Sequence, residues 1–196
     1  MLYEKALKKI SDAGGLVIDV GGGMHIERTN RLYNKTANEN LLDLSKIQYR
    51  VLDKTDTYNP HFVADIRKMP FEDGAVDSFI VWRVIEHVET PHEAIAEVRR
   101  CLKHGGIAYF QFMFLNGYGG FPGYYQDFYR FTEDGIRYLL KDFSSVEIEP
   151  IMGPIRTWVR LGLPTIEKRY GKIFDWMDRK RGMGKNVFGY DVLAII

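Results

Sequence analysis

The chain has 196 residues, of which 45% are hydrophobic and 27% charged, and this balance is typical of one globular domain. Its 27 basic and 26 acidic residues give a formal net charge of +1, which argues against the electropositive surface that nucleic-acid-binding proteins need. No apolar run approaches the roughly 20 residues that span a bilayer, and the single cysteine, Cys101, excludes an internal disulfide. We therefore expect a cytoplasmic protein with neither nucleic acid nor membrane as a partner.

The first predicted strand is LVIDV, over 16–20, and three glycines follow it. Glycines after a buried strand permit positive φ angles and close approach by a ligand, although a tight structural turn would need them too. Asp19 at the end of this strand would repel a pyrophosphate, so it favours a ligand that carries a cation. Ile26 also stands where a dinucleotide-binding motif would have its third glycine.

The segment 24–44 is polar and poorly periodic where a regular first helix would be expected. The second predicted strand, YRVLD over 49–53, ends at Asp53, a place where carboxylates accept the hydroxyls of a ribose in nucleotide-binding α/β folds. A surface aspartate is the alternative. After a short strand, Asp65 and the Ile66 amide are placed to meet the amino group and ring nitrogen of an adenine.

Strands and helices alternate through the rest of the chain, which indicates a doubly wound α/β sheet. Thr90, Pro91 and Glu93 predict the start of a helix, with Gly105 and Gly106 as its stop. A second helix runs from Thr132 to about residue 141. Further strands are predicted over 76–82, 107–113, 145–151 and 187–196.

The 152–186 segment lies between the last two predicted strands and can hold an inserted helical element. Such an element could cover an acceptor pocket, form a homodimer contact, or simply pack as an amphipathic helix. Its basic stretch, over 168–185, is interrupted by Asp175 and Asp178, which favours a solvated amphipathic helix over a polyanion-binding patch. Arg156 and Arg160, with Trp158, are candidates to receive an anionic acceptor.

The 114–131 segment holds eight of the chain's 27 aromatic residues, with four glycines between them. Glycine hinges and aromatic walls are typical of a substrate lid, and a loop that caps the core is the alternative. Tyr124, Tyr125, Tyr129 and Arg130 are the candidate acceptor-binding residues in this segment.

The candidate general bases are His87, in IEHV after the strand over 76–82, and Asp127 in the aromatic segment, with His25 as a third. His87 could equally be a packed, hydrogen-bonded residue, and Asp127 could instead pair with Arg130 to fix the loop. No spacing suggests a metal site.

Five pieces in one order, VIDVGGG, VLD, ADIRKMPFEDGAVDSFIVW, IEHVETPHEAIAEVRRCLKHGGIAYFQF and DFYRFTEDGIRYLLKDF, resemble the class I S-adenosylmethionine-dependent methyltransferases of the type 11 group. The resemblance implies one Rossmann-like domain over 1–196, with a doubly wound, mostly parallel sheet and an antiparallel C-terminal strand. His25 departs from the family's pattern because it replaces the last glycine of D-x-G-x-G-x-G. The resemblance also assigns the cofactor-binding residues, by the part of S-adenosylmethionine that each would contact: Asp19, Gly21 and Gly23 the methionine portion, Asp53 the ribose, Asp65 and Ile66 the adenine, and Trp82 the sulfonium.

We therefore predict an enzyme that uses S-adenosylmethionine to methylate a hydroxyl of a small molecule or glycan, since the last of these pieces resembles members of polysaccharide and glycolipid pathways. A catalytically silent cofactor-binding or interaction domain of the same fold is the first alternative. A nicotinamide-dependent oxidoreductase and a nucleic-acid methyltransferase are the others.

Overall fold

The computed structural model describes residues 1–22 and 42–196. The helices are α1 (Leu2–Ala13), α2 (Pro91–Cys101), α3 (Glu133–Leu139), α4 (Pro154–Gly162) and α5 (Pro164–Arg181). The strands are β1 (Gly15–Val20), β2 (Ile47–Asp53), β3 (Phe62–Val63), β4 (Val76–Trp82), β5 (Leu102–Met113), β6 (Ser145–Ile151) and β7 (Gly189–Ile195).

The described strands form one sheet in the order β3-β2-β1-β4-β5-β7-β6. The pairs β1/β2, β1/β4, β2/β3 and β4/β5 are parallel, whereas β7 runs antiparallel to both β5 and β6. The predicted mostly parallel, doubly wound sheet with an antiparallel C-terminal strand is confirmed. Because the chain crosses from β3 back to β4 beside β1, the strand order reverses there, and such a reversal is where ligands bind in open α/β sheets.

Apolar side chains are buried on both faces of the sheet, as the nearly continuous hydrophobic strands require. On one face α1 contributes Leu7 and Ile10 to a cluster with Ile80 and Tyr109. On the other face α2 and α3 pack against a larger cluster that includes Phe110. These two layers fix the strand ends that carry the candidate site.

The helix predicted from Thr90 begins as expected, with Thr90 as N-cap and Pro91 as its first residue, but its C-terminal end differs from the prediction. It ends at Cys101, because buried Leu102 already pairs with Val76 and begins β5. Gly105, with φ of 78°, lies inside that strand and does not end the helix. The Thr90 hydroxyl contacts the Glu93 carboxylate instead of accepting from the backbone.

The helix predicted after Thr132 is present, and the 152–186 insertion is largely helical. The Thr132 side chain accepts a hydrogen bond of 3.1 Å from Gly135 N and starts α3. Two helices, α4 and α5, occupy the connection between β6 and β7. In the described part of the chain, no helix has both the length and the apolar character needed to cross a membrane.

Candidate functional site

A cleft of about 420 Å³ opens at the carboxyl ends of β1, β2 and β4, where the strand order reverses. Its volume lies within the range of sites for small molecules and cofactors. The described residues that line it come from the strand ends, the loops after them and the aromatic segment: Val20, Gly21, Leu52, Asp53, Lys54, Thr55, Ala64, Asp65, Ile66, Arg67, Trp82, Arg83, Val84, His87, Val88, Glu89, Gly119, Tyr124 and Tyr125.

The turn after β1 needs glycine for two reasons. Gly21 has a φ of 71°, and a Cβ there would lie 2.6 Å from Val84 Cγ2. A Cβ on Gly22 would lie 2.6 Å from Asp19 Oδ2. The bare backbone therefore lets the turn pack between β2 and the β4 loop. The predicted contributions of Gly23 and His25 lie outside the described residues.

Asp19 lies beneath this turn and is 2% exposed. The Tyr49 hydroxyl donates a hydrogen bond to Asp19 Oδ2. Tyr3 is also near, since burial first and the Asp19 charge second raise the pKa of Tyr3 to about 12. Asp19 is not among the described residues that line the cleft, so its charge acts from behind the glycine turn.

Asp53 ends β2 and faces the cleft, and it is 6% exposed. Its Oδ1 accepts hydrogen bonds of 3.2 Å from Thr55 N and 3.2 Å from the Tyr124 hydroxyl. The second donor comes from the aromatic segment, so this segment reaches across the cleft to the end of β2. A phenolic hydroxyl thus occupies one acceptor position of the carboxylate that was predicted to bind a ribose.

Asp65 is held by Arg67 through a two-point ion pair. Arg67 Nε donates to Oδ1 at 2.9 Å, and Arg67 Nη2 donates to Oδ2 at 2.7 Å. This hydrogen bonding lowers the pKa of Asp65 to about 2, so the carboxylate stays ionised. Arg67 also binds Glu89 across the cleft rim at 2.8 Å. Ile66, the other predicted adenine contact, lines the same wall.

Trp82 forms the opposite wall at the end of β4. Its indole Nε1 donates to Gln111 Oε1, and its ring lies 5.5 Å from the Tyr3 ring. Gln111 Nε2 in turn donates to Asp191 Oδ1 at 2.9 Å. These contacts hold the indole in one orientation against the cleft.

His87 lies in a single 3-10 turn, Ile85–His87, directly after the β4 loop. Its Nδ1 is 2.7 Å from the Gln126 carbonyl oxygen, and its ring lies 4.4 Å from the Tyr125 ring. A carbonyl can only accept, so Nδ1 carries the proton and Nε2 of the neutral ring keeps its lone pair. Burial lowers the pKa of His87, which keeps this neutral form at neutral pH.

Asp127 and Arg130 pair with each other and are not among the cleft-lining residues. Arg130 donates to both Asp127 oxygens at 2.6 Å, and Gly119 N donates to Oδ2 at 2.6 Å. These bonds, with Arg130 the largest cause, lower the pKa of Asp127 to about 2. The Tyr129 hydroxyl donates to the Glu89 carbonyl at 2.8 Å, so Tyr129 lies against the rim.

Three residues near the cleft were not identified from the sequence. Arg67 follows Asp65 in a D-x-R spacing that could have indicated the ion pair. Arg83 lines the cleft with a φ of 58°, a backbone conformation that no sequence signal marks. Glu86 is 2% exposed, and its carbonyl accepts from Phe128 N at 2.8 Å, anchoring the aromatic segment.

The described residues, 1–22 and 42–196, contain no group of three or more His, Cys, Asp or Glu side chains that could hold a metal ion.

Comparison with known proteins shows similarity to methyltransferases. Residues 17–110 match the family model of a methyltransferase domain. A stretch of 44 residues is 46% identical to an uncharacterized 37.1 kDa protein in transposon TN4556 of Streptomyces fradiae, covering 22% of this chain and 13% of that protein.

Solved structures share the fold. Phosphoethanolamine N-methyltransferase 2 of Haemonchus contortus, in complex with phosphomonomethylethanolamine and S-adenosylhomocysteine, has a TM-score of 0.56 at 14% identity, covering 100% of this chain and 51% of that one. An S-adenosylmethionine-dependent methyltransferase of Archaeoglobus fulgidus gives 0.59 at 11% identity, over 100% and 93%. The [4+2]-cyclase SpnF gives 0.56 at 16% identity, over 99% and 80%.

The chain thus spans about half the length of the Haemonchus enzyme and matches a small part of the Streptomyces protein. At identities of 11–16% the solved structures support only the fold, whereas the family model identifies similarity to a methyltransferase domain. The predicted resemblance to class I S-adenosylmethionine-dependent methyltransferases of the type 11 group is confirmed, because residues 17–110 match the model of a methyltransferase domain and the solved methyltransferases share the fold of this chain.

Proposed function

We propose that the chain is an active S-adenosylmethionine-dependent methyltransferase whose acceptor is a hydroxyl of a small molecule or glycan. One observation carries the proposal: Asp53, Asp65, Trp82 and His87, from the ends of β2, β3 and β4, line a single cleft. This arrangement offers carboxylates for an adenosine, an aromatic wall and a base within one enclosed space.

The carboxylates in and beneath the cleft suit S-adenosylmethionine better than a dinucleotide. Asp53 can accept ribose hydroxyls, and Asp65 remains an ionised acceptor beside Ile66 for the adenine amino group. Asp19 lies under the Gly21 turn and adds negative charge near the end of β1. A pyrophosphate would meet this charge unfavourably, whereas an ammonium or sulfonium is stabilised by it.

The cofactor supplies a methyl carbon bonded to a positively charged sulfur. His87 would accept the acceptor's hydroxyl proton on Nε2 while the carbon–oxygen bond forms and the carbon–sulfur electrons remain on sulfur. The Gln126 carbonyl stabilises the resulting imidazolium, because it accepts a hydrogen bond from Nδ1–H before and after the transfer. Trp82 and Tyr125 would exclude water and favour the cation through their ring faces, by about 0.5–2 kcal/mol.

The aromatic segment 114–131 acts as the acceptor lid in this proposal. Tyr124 and Tyr125 line the cleft beside His87, so they are the residues placed to contact the acceptor. Tyr129 and Arg130 would instead hold the segment in position, through the Glu89 carbonyl and Asp127. We also propose a cytoplasmic location, which suits a chain with the single, buried thiol of Cys101.

A catalytically silent cofactor-binding domain is the second candidate. It is favoured by the Tyr124 hydroxyl on Asp53, which fills the position proposed for a ribose hydroxyl. The shared fold of the [4+2]-cyclase SpnF is consistent with uses of this architecture other than methyl transfer.

The two candidates are separated by assaying S-adenosylhomocysteine formation by the purified chain across a panel of sugars, phenols and lipid-linked glycans. An active enzyme forms the product with at least one acceptor class, and His87→Gln abolishes most of that turnover. A silent domain binds S-adenosylmethionine in calorimetry but forms no product with any acceptor. Tyr124→Phe should bind the cofactor more tightly in both cases, since the competing hydroxyl is gone.

A further inference from the structure

The helical hairpin formed by α4 and α5 has its polar groups inside. Arg156 Nε donates to Glu167 at 2.7 Å, and Arg156 Nη1 donates to Asp175 at 2.7 Å. Asp178, which is 1% exposed, accepts from the backbone N of Ile155 and of Arg156 and so caps α4. The space between the two helices is therefore occupied by an ion-pair network.

The outer surface of the hairpin is apolar along one row of α5. Ile166, Tyr170, Ile173 and Met177 are 41%, 43%, 53% and 39% exposed. Their spacing of four, three and four residues puts them on one face of the helix, over a length of about 16 Å. Trp158, Trp176, Leu161 and Leu163 are exposed as well. An apolar surface of this kind on a protein marks an interaction site.

The exposed charges of the hairpin that lack an ion-pair partner among the described residues have one sign. The acidic residues of the 152–186 segment are Glu167, Asp175 and Asp178, and all three are engaged inside the hairpin. Seven exposed basic residues remain, without a salt-bridge partner in residues 1–22 and 42–196: Lys168, Arg169, Lys172, Arg179, Lys180, Arg181 and Lys185. Asp178 is buried and Asp175 is paired with Arg156, so neither offsets the exposed basic residues.

We propose that this hairpin docks the protein on the surface of an anionic lipid bilayer, with the apolar row and the two tryptophans in the headgroup region. Interfacial helices combine an apolar row, aromatic side chains and flanking lysine or arginine in this way. Each basic side chain near an anionic surface adds attraction, and long Lys and Arg side chains reach the headgroups while α5 lies flat. The proposal replaces the sequence-based expectation that a membrane is not a partner.

The basic charge of the hairpin disfavours a second copy of the chain as the partner that covers the apolar row. A two-fold interface places the same surface of each copy against the other, so the basic side chains of both α5 helices would meet. Their acidic residues cannot compensate, because Arg156, Arg160 and the α4 backbone bind them. Like charges facing each other disfavour that pairing, whereas a negative bilayer surface is complementary.

Vesicle sedimentation of the full chain tests the proposal. We expect the protein to pellet with vesicles that contain about one-third phosphatidylglycerol, to pellet poorly with phosphatidylcholine alone, and to be released by high salt. Lys172→Gln with Arg179→Gln should weaken partitioning about 30-fold, at roughly 1 kcal/mol for each charge. The matched control, Lys9→Gln with Lys141→Gln, removes the same charge from α1 and from the turn after α3 and should leave partitioning unchanged.

The apolar row is tested separately with Ile173→Ala and Trp176→Ala, which should weaken binding to anionic vesicles at least about tenfold. These side chains are exposed, so an unchanged melting temperature confirms that the fold is intact. In a Trp82→Phe background, the hairpin holds both remaining tryptophans, and their fluorescence should shift to shorter wavelength on anionic vesicles. The proposal is overturned by equal binding to neutral and anionic vesicles, by a dimer in sedimentation that Trp176→Ala dissolves, or by binding to duplex DNA without vesicle binding.

Discussion

Glu86 is a buried carboxylic acid at the base of the aromatic segment. Neither of its side-chain oxygens has a hydrogen-bond partner within residues 1–22 and 42–196. Burial raises the pKa of Glu86 to about 7, and the Arg83 charge opposes this only in part. Its backbone carbonyl accepts hydrogen bonds from the amides of Phe128 and Tyr129, so the buried carboxyl lies at the residue that anchors the aromatic segment.

Replacing this group should change how stability depends on pH. The folded-state pKa is raised, so the contribution of neutral Glu86 is complete below the unfolded value of about 4.5 and is lost as pH rises through 7. Glu86→Gln does not titrate and should therefore be more stable than wild type at pH 8 by up to about 3 kcal/mol. Urea unfolding at pH 5 and pH 8 measures the difference. The exposed control Glu72→Gln should show no such pH-dependent gain, and an equal gain at both pH values for Glu86→Gln would contradict the assignment.

His87 should act as the base of methyl transfer. Since burial lowers its pKa, kcat for a hydroxyl acceptor should stay constant through neutral pH and fall only below about pH 6.5. His87→Gln should lower kcat about 10²–10⁴-fold and abolish the acidic limb of the profile. His92→Gln, an exposed control, should leave both unchanged. A His87→Gln enzyme with wild-type kcat and the same acidic limb would exclude this role.

At the scale of the element, one ion pair and its hydrogen bonds link residues within the aromatic segment. Asp127 binds Arg130 and Gly119 N, and Arg130 Nη2 also donates to the Gly117 carbonyl at 3.0 Å. The Asp127 side chain is 1% exposed, so its loss leaves the Arg130 charge poorly compensated. The pair thus fixes the conformation of the aromatic segment that carries Tyr124 and Tyr125.

Asp127→Ala should loosen the 114–131 segment and raise the acceptor KM by about tenfold, an effect near 1.4 kcal/mol, with a smaller change in kcat. Limited proteolysis should cut the variant faster within this segment. The control is Asp134→Ala, which removes an exposed acidic side chain from the first turn of α3. A large fall in kcat at constant KM would instead favour Asp127 as the catalytic base, the other role its position in the sequence suggested.

Strands such as β1 and β4 were predictable because they are short apolar runs bounded by turn residues. The structure has the strand over 76–82 and the strand over 145–151 with the predicted bounds. The helix after Thr90 was predicted too long, because pairing of Leu102 with Val76 outweighs the helical pattern that continues past Cys101. Local periodicity does not contain that long-range contact.

At the scale of the whole molecule, the sequence predicts that the candidate groups lie at one edge of the sheet. It does not predict which side chains pair with each other. Asp53, Asp65, Trp82 and His87 follow strand ends, so parallel topology alone brings them together. The Asp65–Arg67 ion pair, the Tyr124–Asp53 hydrogen bond and the inward acids of the hairpin depend on side-chain directions. Such directions are set by tertiary packing, which spacing in the sequence does not encode.

The central claim is that the cleft binds S-adenosylmethionine through Asp53. Thermal melting with S-adenosylmethionine, S-adenosylhomocysteine or NAD tests it most directly, with Asp53→Asn compared against the exposed neighbour control Asp56→Asn. At 100 times the dissociation constant, either adenosyl ligand should add ~2.7 kcal/mol, or about 5–10 °C, to wild type and to Asp56→Asn. The shift should be much smaller for Asp53→Asn. Stabilisation by NAD alone, or equal S-adenosylmethionine shifts in both variants, would contradict the account.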